Sequence, residues 1–194
     1  MKSSAMILVT AFCAVAPSAN AFAQRITVGK NVHVSAQRPD IKHNETTIAA
    51  DPFDAKRLLA CTMLTGGVAA YTSFDGGLTW TAPAIKTGVP RANDPTCAYG
   101  PNGAAYFMHK IKETQGPSDI DRLAVHRSRD GGRTFEPLIL GPQTTDRPWV
   151  AIDTRKEAGK FGRIFVSYNY HVHFENTPLV HRTDDFMNAV ALQT

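Results

Sequence analysis

The feature that most constrains this chain is a turn motif that recurs at a fixed interval. It reads Ser73-Phe74-Asp75-Gly76-Gly77-Leu78-Thr79-Trp80 and again Ser128-Arg129-Asp130-Gly131-Gly132-Arg133-Thr134-Phe135. Asp75 and Asp130 stand 55 residues apart, and Ala70 to Asp75 aligns with Val125 to Asp130 without a gap. A third copy, Val180 to Asp185, follows at the same 55-residue step, with Phe186 and Met187 in place of the two glycines. A repeat of this length built mainly of strands points to small antiparallel sheets stacked as the blades of a propeller.

Two further strands recur upstream of each motif. The first is Thr47–Ala50, Thr96–Tyr99 and Trp149–Ile152; the second is Arg57–Met63, Ala104–His109 and Arg163–Tyr168. Turns rich in Pro, Gly and Asp separate them: Asp51 to Asp54, Gly100 to Gly103 and Asp153 to Gly162. These strands are apolar on both faces, as strands sandwiched between neighbouring sheets must be. A fourth strand is expected after each intact motif, near Thr79–Ile85 and Thr134–Leu140. The chain therefore reads as an all-β propeller segment of about three four-stranded antiparallel blades, at 44–88, 93–141 and 145–194. Closed propellers have roughly four or more blades. The segment is thus expected to be incomplete, or to close by association with a second copy through its open edges.

Lys2, the apolar stretch from Ala5 to Ala16, Pro17 and the ending Ala21-Phe22-Ala23 read as a secretory signal over 1–23, cut before Gln24. Its apolar run is too short to span a bilayer. Residues 24–194 are accordingly expected to be secreted or periplasmic, without membrane insertion. The net charge of +4 is spread along the chain with no Lys/Arg block, which argues against a nucleic-acid groove. Cys61 and Cys97 lie in apolar strand-like runs; an exported protein permits a disulfide between them, and two separate buried thiols are the alternative.

The motif itself is explained by turn chemistry. Paired glycines supply the positive φ that a tight hairpin needs. Asp75 and Asp130 can accept main-chain N–H groups across the turn, assisted by Ser73, Thr79, Ser128 and Thr134. Trp80 and Phe135 then offer rings to bury between sheets. Reading Asp75 and Asp130 as catalytic acids is unnecessary when holding the turn already accounts for them.

The pattern Ser-x-Asp-Gly-Gly-x-Thr-Trp/Phe resembles the Asp-box, or BNR repeat, of sialidases and other sialidase-like β-propellers. The resemblance runs from about His43 onward and includes Asn44-Glu45-Thr46-Thr47-Ile48-Ala49 and Asp146-Arg147-Pro148-Trp149-Val150-Ala151-Ile152-Asp153, segments common in exported BNR-repeat proteins. It implies a propeller. The box occurs in catalytic and non-catalytic members and lies away from the sialidase active site, so function has to be read at the site. A sialidase-like reaction, as the resemblance implies it, needs arginines clustered on the substrate carboxylate, a tyrosine nucleophile helped by a glutamate, and an aspartate acid/base. Arg38, Arg91 and Arg147 are candidate guanidiniums, and Arg38-Pro39-Asp40 is a distant echo of the family's Arg-Ile-Pro opening. No spacing joins Tyr168 or Tyr170 to Glu175.

In a meander, successive loops alternate ends, so the starts of the innermost strands lie on the face opposite the boxes. Acidic residues recur there: Glu45, Asp94 and Asp146, with Arg91 and Arg147 beside them. Asp146 and Arg147 are the candidate catalytic residues; Glu45, Arg91, Asp94, Tyr170, His171 and His173 are candidate ligand contacts. The loops Leu64–Gly67, Lys110–Asp121 and Tyr170–Pro178 are expected on that face. The acidic recurrence has three readings: bonds to the main chain at blade junctions, a carboxylate ring around Ca²⁺, or an acid beside sugar-binding arginines. His171 and His173 alternate onto one face, but two imidazoles fall short of the three or four ligands of a zinc site, so no metal or other cofactor is expected. The functional expectation is glycan or glycoprotein recognition at a cell surface. The alternative is an exo-α-sialidase-type hydrolase acting on terminal sialic acids.

Overall fold

A computed structural model describes residues 27–83, 85, 91–115, 118–136, 139–143, 146–156, 161–170 and 186–192. The chain divides into Met1–Asn31, whose described residues 27–31 are exposed and without regular structure, and Val32–Thr194. The expected signal segment 1–23 lies outside the described residues.

Among the described residues of Val32–Thr194, ten strands form three antiparallel sheets and no α-helix occurs. The first sheet is β1 (His43–Asp51), β2 (Asp54–Leu64) and β3 (Gly67–Ser73). The second is β4 (Ala92–Tyr99), β5 (Ala105–Gln115), β6 (Ser118–Ser128) and β7 (Ile139–Gln143). The third places β9 (Ile164–Tyr170) between β8 (Asp146–Ile152) and β10 (Phe186–Leu192). β4 lies against both β1 and β8, so the first strand of each sheet meets its counterpart on one side of the stack. The expected all-β, antiparallel class is what the chain adopts.

Each first turn is built from short polar residues. Asp51 accepts the Phe53 N–H at 2.8 Å and pairs with Arg57 at 3.1 Å. Pro101–Gly103 form a 3₁₀ turn with Asn102 at φ 58° and Gly103 at φ 73°. Asp153 accepts the Arg155 N–H at 3.1 Å. The turns at Asp51 and Asp153 are of Asx type, in which a side chain replaces a main-chain acceptor, whereas the Pro101–Gly103 turn is closed by the main chain, Ala104 N–H to Pro101 O at 3.1 Å.

Strand alternation then sorts the core. Register pairs Cys97 with Phe107 and Phe107 with His126, so these residues share the face of the second sheet that meets Leu59, Cys61 and Ala70 of the first. The opposite face presents Tyr106, Met108, Leu123 and Val125 to Val150, Ile164, Val166 and Tyr168 of the third. Fully burying a side chain of Phe or Leu size contributes roughly 1.5–3 kcal/mol, so these two interfaces dominate cohesion. Cys61 and Cys97 form a disulfide with Cα atoms 6.2 Å apart, which settles the open alternative and links the first sheet to the second covalently.

Several elements differ from the sequence expectation. Among the described residues the first sheet has no regular fourth strand; Thr81 makes an isolated bridge to Thr72, with N–H···O distances of 2.8 and 2.9 Å in the two directions. The fourth strand of the second sheet begins at Ile139 rather than Thr134, because the box hydrogen bonds hold Thr134 in the turn. Lys110–Asp121, expected as a loop, is a strand hairpin, with β5 and β6 paired out to Gln115 and Ser118. Cross-strand ion pairs hold this extension together: Lys112 to Asp121 at 3.4 Å and Glu113 to Arg122 at 2.7 Å. In the third sheet Phe186–Leu192 sits directly beside β9, where the repeat alignment would place Val180–Asp185; the latter lie outside the described residues.

Candidate functional site

Each box holds its own turn through side-chain hydrogen bonds. Ser73 Oγ donates to Asp75 Oδ1 at 2.8 Å and accepts the Gly77 N–H at 2.8 Å. Thr79 then gives Asp75 its N–H at 2.9 Å and its hydroxyl at 2.6 Å. Ser128, Asp130, Gly132 and Thr134 repeat the pattern at 2.7, 2.8, 2.9 and 2.6 Å. Gly76, Gly77, Gly131 and Gly132 have φ between 76° and 94°. The Thr79 hydroxyl and then its N–H hold Asp75 down at about 2. For Asp130 burial pushes upward, yet the bonds from Thr134, Ser128 and Arg133 outweigh it and hold the carboxyl at about 2. A carboxylate locked in its ionised form by its own turn is a poor proton donor to a substrate.

Trp80 donates Nε1–H to the Gly77 carbonyl at 3.0 Å and packs on Ala60, Ala69 and Tyr71. Phe135 packs beside Phe107. The second box rests on the first turns and on its predecessor: Gly131 N–H donates to Gly103 O at 3.0 Å, and the Arg133 guanidinium lies 3.9 Å from the centre of the Phe74 ring.

The other end of the strands is different in character. The pairing of β1 with β2 slips between Asn44 and Thr47, that of β4 with β5 between Asn93 and Thr96, and that of β8 with β9 between Asp146 and Trp149. Each slip is a bulge, and each bulge holds a non-glycine residue in the left-handed region: Glu45 at φ 51°, Asp94 at φ 51° and Arg147 at φ 35°. Three such positions on equivalent strands cost about 1–2 kcal/mol each relative to ordinary backbone. They converge on one cleft of about 180 Å³, lined by Glu45, Thr46, Thr47, Asp94, Pro95, Arg147, Pro148 and Trp149. At about 3.3 Å per residue, Glu45 is roughly 20 Å along β1 from Asp51 and the box end.

This register corrects the expected acidic triad. Glu45, Asp94 and Arg147 are equivalent, while Asp146 matches Asn44 and Asn93 and does not line the cleft. The third position therefore carries a guanidinium instead of a carboxylate, which removes the carboxylate ring that Ca²⁺ coordination would use. Among the described residues no group of three or more His, Cys, Asp or Glu is placed to hold a metal.

Asp94 is tied by Lys110, whose Nζ lies 3.1 Å away and also faces Asp121 at 3.9 Å. Arg147 approaches Glu45 at 4.0 Å, with its side chain 72% exposed, so this is a solvated and weak pair. Trp149 is 60% exposed although it sits in an inner strand. Sequence reasoning treated it only as part of a strand, and an indole alternating to the open side of β8 was the available signal. The candidate arginines do not converge. Arg38 lies over Tyr71, 5.4 Å from its ring centre, and Arg91, with φ 77°, is outside the cleft lining. Tyr170 ends β9 at the same strand end as Asp146; His171 and His173 lie outside the described residues.

No family model matches the chain, and no curated protein matches it. Among solved structures, it is similar to the α-L-arabinanase of Penicillium chrysogenum complexed with arabinobiose, with 17% identity, 66% of this chain and 40% of that one covered, and a TM-score of 0.48. The GH93 α-L-arabinofuranosidase of Fusarium graminearum, also with arabinobiose, matches at 16% identity over the same shares with a TM-score of 0.46. A protein of unknown function from Dyadobacter fermentans matches at 21% identity, over 71% of this chain and 39% of that one, with a TM-score of 0.37. The chain thus spans about 40% of the length of these two enzymes.

Proposed function

We propose that this is an exported propeller-type protein that recognises a glycan in the cleft at the starts of β1, β4 and β8. The observation that carries the reading is the convergence of three left-handed bulges on a cleft where an exposed indole stands among carboxylate, hydroxyl and guanidinium groups. A pyranose or furanose ring offers one apolar face and a rim of hydroxyls. Trp149, Pro148 and Pro95 suit the face, and Glu45, Asp94, Thr46 and Thr47 suit the rim. The disulfide between Cys61 and Cys97 supports export, since such bonds persist in oxidising compartments.

A second reading, an exo-acting glycoside hydrolase of the sialidase type, is favoured by one observation: Glu45 and Asp94 share the cleft, with Arg147 beside Glu45. Against it, Arg38, Arg91 and Arg147 do not form the cluster that a sialic-acid carboxylate needs. Titration of the purified protein with 3′-sialyllactose and with arabinobiose, read by calorimetry, separates the two. Binding to either sugar that is lost in Trp149→Ala, without release of monosaccharide, supports recognition. Monosaccharide release by the parent protein that disappears in Asp94→Asn establishes the hydrolase instead. Absence of binding to both sugars at millimolar concentration overturns the glycan reading of this cleft.

A further inference from the structure

Two histidines sit where neither the cleft nor the boxes use them. His109 on β5 and His126 on β6 are 0% and 1% exposed, and their rings stack with centroids 5.2 Å apart. Phe107 lies against both, at 5.2 and 5.6 Å. The pair is on the face of the second sheet that packs on the first. Their Nε2 atoms face each other at 3.1 Å. The outer nitrogens are also engaged: His109 donates Nδ1–H to the Lys110 carbonyl at 3.2 Å, and the Glu136 main chain accepts from His126.

Charged groups on the surrounding elements are turned to other partners. Lys110 points to Asp94 and Asp121, Lys112 to Asp121, Glu113 to Arg122, and Glu136 to Arg129. On the first sheet, Arg57 pairs with Asp51 and Asp54, Tyr71 bonds His43 on the opposite face, and Cys61 is joined to Cys97 of β4. Arg127 alternates to the far face of β6, near Tyr106. Each histidine therefore has the other as its charged neighbour, and burial holds both below the ordinary histidine range.

Counting protons gives the consequence. Two neutral imidazoles carry two ring protons, and the site offers three acceptors: the Lys110 carbonyl, the Glu136 carbonyl and one of the two facing nitrogens. One added proton fills all three. A second puts an N–H on both facing nitrogens, donor against donor at 3.1 Å and two cations in one apolar site. We propose that His109 and His126 form an acid latch between the first and second sheets, which accepts one proton in place and parts when the second arrives. The Cys61–Cys97 disulfide joins the same two sheets, so the parting is local, at the histidine end of the interface.

The test is a pH titration of the full chain with the disulfide intact. Ring ¹⁵N shifts and amide-exchange protection are followed across Phe107–Ile111 and Leu123–His126, with Val150 and Ile164–Tyr168 as the control interface. The expected result is one proton taken up with protection retained, then loss of protection confined to the histidine segments as the second binds. In His109→Gln, which removes the second titration, the acid midpoint of that loss moves down by about one pH unit or more. Two outcomes overturn the latch: both rings becoming imidazolium while β5 and β6 stay protected, or independent titration of the two rings near pH 6.5. If His109→Gln does not fold, the ring shifts of the parent chain decide alone.

Discussion

The glycines of the two boxes are not equally constrained. Gly76 and Gly132 both hold a positive φ, 76° and 94°, yet a Cβ on Gly76 meets nothing within 4 Å, whereas one on Gly132 would lie 2.6 Å from Thr72 Cγ2. Gly76→Ala should therefore cost only its backbone strain, about 1–2 kcal/mol. Gly132→Ala adds a clash with a buried residue of the neighbouring sheet and should cost about 3 kcal/mol or more. Urea denaturation of both variants checks the order; equal losses would show that the second box is not pressed against the first sheet. Titratable residues give a second prediction. His109 is depressed to about 4 from 6.5 by burial, so its contribution is complete above pH 6.5 and lost as pH falls to about 4, some 3 kcal/mol from this ring alone. Asp75 and Asp130, both held at about 2, contribute fully above pH 3.8 and lose that contribution as pH falls to about 2. Melting temperature against pH should fall in two separate acid phases, and Asp130→Asn should blunt only the lower one.

Among elements, the link between β2 and β4 is the one that chain connectivity does not supply. Cys61 and Cys97 are separated by 36 residues, and closing a loop of that length stabilises by about 4 kcal/mol in the chain-entropy description. Cys61→Ala with Cys97→Ala should lower the melting temperature by many degrees, and reductant should do the same to the parent chain but leave the double variant unchanged. The strands themselves were legible because alternation and turn chemistry are local. Leu58 to Cys61 and Asp75 to Trp80 announce their roles within a few residues. What was illegible depends on partners. Lys112 becomes strand because Asp121 stands across from it, and the bulges that align Arg147 with Glu45 and Asp94 exist only once β8 pairs with β9. The sequence offers Asp146 and Arg147 as adjacent candidates, and a one-residue slip decides which of them reaches the cleft. The exposure of Trp149 follows from that same slip.

Over the whole molecule, the outer faces of the stack are treated unequally. In the third sheet, Trp149 is 60% exposed and Phe165 39%, and Ala151 on the same face pairs with Phe165. The equivalent positions of the second sheet, Thr96 for Trp149 and Tyr106 for Phe165, are buried. Exposed apolar groups on one sheet face promote association. The purified chain should therefore show concentration-dependent oligomers by light scattering, and Phe165→Lys should shift them toward monomer; a monomer at every concentration for the parent chain contradicts this.

The outer face of the first sheet has its own cover. Val34 packs on Ala60, Ala69 and Tyr71, and the Arg38 guanidinium lies over the Tyr71 ring. His43 donates Nδ1–H to Ile41 O at 2.7 Å, which leaves its Nε2 to accept the Tyr71 hydroxyl, also at 2.7 Å. Gln37 completes the seam by accepting the Ala82 N–H at 2.9 Å. A sheet approaching from this side must first peel away that strap and uncover the Tyr71 hydroxyl, whereas one approaching the third sheet meets bare indole and phenyl. The two ends of the stack consequently differ: one is closed over by its own strap, and the other presents exposed aromatic rings.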